Sequence, residues 1–150
     1  MKSLFNQQNS AEFIERINKL TPASKAQWGV MNVSQMLRHS QLPLDIASGA
    51  LVPKVNPIVR FLFGKSAKKQ INSDQEFKKN LPTFREGKIH DERDFEKEKT
   101  KLISQIQHFQ QKGEAGLTKD PHPFFGAMTV NEWDRLQVKH LDHHLKQFGV

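Results

Sequence analysis

One hundred and fifty residues, 36% of them hydrophobic, suit one domain with a modest core, and the net charge is +7. Cysteine is absent, which excludes disulfides, thiolate metal sites and a catalytic thiol. No stretch approaches the ~20 apolar residues of a membrane span. The opening MKSLFNQQNS has no apolar run of signal-peptide type, so a cytoplasmic, single-domain protein over residues 1–150 is expected.

Helical periodicity recurs along the chain and strand alternation does not, which predicts an all-α fold. The first segment is expected to start at Asn9, with Glu12 completing a capping box. Phe13, Ile14, Ile17 and Leu20 give it one apolar stripe, and Thr21-Pro22 ends it. The second, MNVSQMLRHSQLPLDIASGA, has Asn32 as cap, Gln35 at the capping-box position, Gly49 as a C-terminal stop and Pro43 inside.

Residues 53–88 follow, with nine Lys or Arg and three acids, nearly the whole charge excess. A structureless connection of that length is uncommon. One short helix is therefore expected at NPIVRFLFG and another near Ser73–Lys79, where SDQE has the capping-box pattern. Ile58, Val59, Phe61, Leu62 and Phe63 are expected to cover one end of the helical body while the lysines stay solvated. The same stretch admits other readings: contact with anionic lipid or nucleic acid, or a basic lid that attracts an anionic substrate such as a carboxylate-bearing thiol. Few aromatic residues are interleaved with its charges as stacking platforms, which weighs against nucleic acid.

The third long segment runs from about Asp91 to Lys112. Its first turns are acidic, Phe95, Leu102, Ile103, Ile106 and Phe109 form its stripe, and Gly113 follows its end. The fourth starts at Thr129, with Glu132 at the capping-box position and Met128 and Trp133 as a hydrophobic staple, and runs to about Phe148.

Three of the seven histidines fall in VKHLDHHLKQF, residues 138–148. At about 100° per residue, His140 and His144 lie at the middle of the apolar arc centred on Trp133, with His143 at its edge. HxxxH on one helix face directs two imidazoles at one point, as helical zinc sites do. The competing reading is a hydrogen-bonded or titrating pair at a helix C-terminus. In the second helix His39 also points inward among apolar neighbours, which makes it the candidate third ligand. His122, between the prolines of PHPFFG, either buttresses the turn or overhangs the site. Gln35 and Gln137 are candidates for orienting a ligand, although ordinary polar helix positions explain them as well. A zincin-type base is missing, because Leu141 follows His140 and Asp142 lies on the opposite face.

MNVSQMLRHS and the tail HPFFGAMTVNEWDRLQVKHLDHHLKQFG resemble an uncharacterised bacterial branch of the DinB-like metal-binding superfamily. The resemblance runs from Trp28 onward, with little contribution from 53–88. It implies a four-helix bundle, up-down-down-up, with a long crossover between the second and third bundle helices. It also implies a divalent metal (zinc, nickel or iron) on His39, His140 and His144, and often a homodimer. Better-known relatives are transferases dependent on low-molecular-weight thiols such as bacillithiol or mycothiol, and others resemble zinc hydrolases. The function expected is thus a metal-dependent enzyme acting on a small molecule through an external thiol or by hydrolysis. The alternatives are a non-catalytic metal- or ligand-binding protein and a basic nucleic-acid binder.

Overall fold

The computed structural model describes residues 2–150. Among them it contains five α-helices and no β-strand: α1 (Gln7–Asn18), α2 (Val33–Ala47), α3 (Pro57–Asn72), α4 (Phe95–Lys112) and α5 (Val130–Gln147). Among the described residues no helix is long and apolar enough to cross a membrane.

The capping signals set most of the boundaries. Asn32 and Gln35 form a reciprocal capping box at 2.9 and 3.0 Å, and Thr129 and Glu132 form another at 3.2 and 2.8 Å. Gly49 takes a φ of +77° just past α2, where a side chain would be strained. The α2 helix continues through Pro43 to Ala47.

Two starts differ from expectation. Helix α1 is capped by Asn6, whose side chain accepts from the Asn9 N–H at 3.0 Å. Glu12 is paired with Lys2 instead of closing a box. Helix α4 is capped by Asp94, which accepts from Lys97 N–H at 2.7 Å, while Asp91 pairs with Arg93 at 2.8 Å.

Phe13 and Ile17 of α1, Met36 and Leu37 of α2, Leu102 and Ile106 of α4, and Leu141 and Leu145 of α5 belong to one buried core. Helix α2 packs on α4 and α5, and α1 packs on the same two, so these four helices close a ring of contacts. Helix α3 contributes nothing to that core and packs on α5 from outside.

The connection between α2 and α4 departs most from expectation. Helix α3 is one continuous 16-residue helix, capped by Asn56 and opened by Pro57, instead of a short helix ending at Gly64. Its C-terminal carbonyls are held by α5. Lys139 Nζ donates to Gln70 and Ser73 oxygens, and Arg135 donates to Ile71, Asn72 and Ser73 oxygens. No helix forms over Ser73–Lys79, because Ser73 is the C-cap of α3 and its neighbouring acids are engaged elsewhere. Asp74 pairs with Arg135 and Glu76 with Lys146.

Ile58, Val59, Phe61, Leu62 and Phe63 do not cover the end of the helical body. All are exposed, Phe61 at 84% and Leu62 at 61%. Helical geometry gives the reason. The buried positions Gly64 and Ile71 lie about 180° around the helix from the centre of the arc formed by those five residues. Anchoring the first face on α5 turns the second face to solvent.

Candidate metal centre

His39 comes from the middle of α2, and His140 and His144 come from successive turns of α5. Because α2 packs on α5, the three rings meet in the interior. Each offers one nitrogen, and these atoms all lie within 4.8 Å of one another. The His39 and His140 Nε2 atoms are 3.1 Å apart. Two nitrogens bound ~2.05 Å from one tetrahedral centre stand about 3.3 Å apart, so this pair already has the spacing of two ligands.

The opposite ring atoms decide which nitrogens face inward. His39 Nδ1 donates to the Gly87 carbonyl at 2.8 Å, and His144 Nδ1 donates to Gln147 Oε1 at 2.8 Å. In both rings the Nε2 lone pair is thereby left for the cluster, the arrangement by which outer partners orient metal-ligating imidazoles. Gln147 is held in turn, since its Nε2 donates to the Trp28 carbonyl at 2.7 Å. That approach requires Gly29, where φ is +82° and a Cβ would stand 2.6 Å from Gln147 Nε2. His140 Nδ1 is buried with no partner. Without a cation, a His140 Nε2–H must serve the His39 lone pair; a cation at the centre accepts both Nε2 lone pairs, with the His140 proton then carried on Nδ1. The donor set therefore fits a divalent ion.

Electrostatics point the same way. Burial lowers the pKa of all three histidines, and the neighbouring imidazoles add to the effect. His140 falls well below its ordinary value and His144 to about 3, while the Gly87 contact offsets part of the shift at His39. The rings are neutral at pH 7, which is the ligating form.

The other candidates occupy defined places. His143 is half-buried, edge-on to Trp28 and Phe77 at 5.7 and 6.3 Å between centroids, and 5.0 Å from the His144 ring. Lys79 lies over the Trp28 ring at 4.2 Å, and Lys139 over Phe77 at 5.1 Å. Gln35 is engaged by its capping box and by the Asp91 carbonyl, and Gln137 donates to the Pro43 carbonyl at 3.2 Å. Trp133 is a core residue 5.3 Å from the His122 ring. Asp142 is spoken for by Arg16 and Lys146 at 2.9 and 2.8 Å, in keeping with the missing zincin base. His90 and His108 are exposed. Sequence reasoning missed Gln147, Gly87 and Trp28. Only Gln147 carried a signal, its place three residues after His144 on the same helix face.

Replacing Gln147 with Leu keeps the bulk and removes the acceptor that fixes His144. The expected loss of cation affinity is about 10–100-fold, measured by competition with a chromophoric chelator on a variant of unchanged helicity.

His122 buttresses its turn. Its Nδ1 accepts from the N–H groups of Phe124 and Phe125 at 3.1 and 3.2 Å, and its backbone bridges to Gly126. Burial, aided by Arg60, lowers its pKa to about 4. The unfolded chain therefore takes up this proton first. Stability is highest above pH 6.5, falls as pH drops toward 4, and loses nothing further from this group below that. At 1.36 kcal/mol per pKa unit the loss is about 3 kcal/mol. In His122→Asn, whose Oδ1 can accept the same two N–H groups, urea titrations should lack that part of the pH dependence.

An all-helical protein with a three-histidine cluster, His39 and His144 buried and His140 partly buried, is the class that fold and site define. The chain belongs to a family described as "Protein of unknown function (DUF1569)", whose model matches residues 2–149. Neither the curated proteins nor the solved structures contain a match.

Proposed function

We propose that this chain is a DinB-like four-helix bundle that holds a divalent cation on His39, His140 and His144 and acts on a small molecule, by thiol-linked transfer or by hydrolysis. The observation that carries the reading is the pair of outer hydrogen bonds, from His39 to Gly87 and from His144 to Gln147, which leave inward lone pairs in a buried cluster. In the bundle, α1, α2, α4 and α5 run up-down-down-up, and α3 sits on the crossover. The contact ring of these four helices supports a bundle.

Three imidazoles are fewer ligands than a closed structural site uses. A cation there would supply Lewis acidity and hold an exogenous thiolate or hydroxide at neutral pH. Any thiol must come from outside, since the chain has no cysteine. Trp28 and Phe77 flank His143 as an aromatic rim against which an organic group packs. Lys79 lies against the Trp28 ring and favours an anionic substrate, whereas Lys139 is committed to the Gln70 and Ser73 carbonyls. Lys79 is thus the lysine of the basic connection that serves as its lid, while Lys68 is committed to Glu132 at 3.0 Å.

The test is a screen of cation-loaded protein against small thiols with a halonitroarene, and against activated esters and amides. Turnover lost to chelator, restored by cation and absent in His140→Ala is the expected result. One retained cation per chain without turnover would assign the non-catalytic binding role instead.

A further inference from the structure

The N-terminal half of α3 is a helix without a partner. Asn56 through Phe63 are exposed without a break, and five of these eight residues are bulky apolar ones. Soluble surfaces carry scattered apolar side chains, but a contiguous set of this kind marks an interaction surface. Phe61 also lines an open groove of about 470 Å³ with Phe124 and Phe125 of the turn before α5, and Arg60 and Lys65 line it too. The turn and the helix touch closely there, since a Cβ at Gly64 would stand 2.8 Å from the Phe124 carbonyl oxygen. Two segments far apart in sequence therefore contribute phenylalanines to one face.

Charge identifies the occupant. From Ile46 to Ser73 the chain has no acidic residue and five cations, Lys54, Arg60, Lys65, Lys68 and Lys69. Only Lys68 forms an ion pair among the described residues. On the outward face of α3, Ile58 and Leu62 are followed by Lys65 and Lys69 along one line of the helix surface. The helix is thus divided lengthwise, with an apolar half that leads and a cationic half that follows. A second copy of the chain would bring two such unneutralised patches together. A surface with negative headgroups over an apolar layer matches both halves, with lysine stems spanning the boundary.

We propose that the N-terminal half of α3, with the Phe124–Phe125 turn beside it, docks on an anionic lipid bilayer, inserting Phe61, Leu62 and Phe63 below the headgroups. The site lies on the outer helix and does not depend on the histidine cluster.

The test is co-sedimentation of the full chain with phosphatidylcholine vesicles, with and without roughly 30% phosphatidylserine. Binding should require the anionic lipid and weaken as salt rises. Phe61→Ser with Leu62→Ser, and separately Lys65→Glu with Lys69→Glu, should each weaken it at least tenfold with circular dichroism unchanged, as all four side chains are exposed. No binding, or equal binding to neutral vesicles, would overturn the proposal. So would sedimentation velocity showing a dimer that the Phe61→Ser, Leu62→Ser variant dissociates. Salt-dependent capture of single-stranded DNA in place of vesicles would also overturn it.

Discussion

His140→Ala abolishes stoichiometric cation binding, while His143→Ala, one ring away, leaves it essentially intact. The three rings form a triangle, with centroids 5.0 Å apart for His39 and His140, 4.5 Å for His140 and His144, and 4.7 Å for His39 and His144. Removing His140 deletes one of three ligands and leaves only the His39 and His144 imidazoles to hold the ion. The loss should exceed the roughly 10–100-fold expected for an outer partner such as Gln147. Binding to the folded state alone also raises its stability, by about 2.7 kcal/mol at a hundredfold excess of free ligand over Kd. Chelator should therefore lower the melting temperature of the wild type and leave His140→Ala unmoved. Metal analysis after gel filtration, paired with thermal scans, reads both effects. Equal cation content in wild type and His140→Ala would refute the assignment.

The second large effect separates the core from the outer helix. Phe13 is 1% exposed and packs in the core shared by α1, α2, α4 and α5. Truncating it leaves a cavity, and Phe13→Ala should cost about 3–5 kcal/mol. Phe61→Ala removes a side chain of the same size that is 84% exposed and should change stability by less than about 0.5 kcal/mol. Urea denaturation of the two variants makes the comparison. A large cost at Phe61 would mean that the apolar arc of α3 is buried in solution.

The parts of the structure that were readable in the sequence depend on local chemistry. The capping boxes at Asn32–Gln35 and Thr129–Glu132 each use two side chains of one turn, so three residues of spacing were enough to place them. The inward positions of His39, His140 and His144 followed from helical periodicity, because α2 and α5 each bury the apolar stripe around them. What stayed hidden is non-local. The length of α3 depends on Arg135 and Lys139, more than sixty residues away, which hold its last carbonyls. The Gly87 carbonyl that fixes His39 belongs to a 3-10 turn inside the basic connection, a segment with no periodic signal. The exposure of Phe61 reverses the usual assignment of apolar runs to the interior. That assignment fails where a helix is anchored by polar caps and its apolar arc points the other way.

X-ray absorption at the metal edge, on protein purified without tag or chelator, tests the central claim most directly. Three nitrogen scatterers with imidazole signatures at about 2.0–2.1 Å, falling to fewer in His140→Ala, are the predicted result. A shell made of oxygen alone, or one that is the same in the variant, would contradict it.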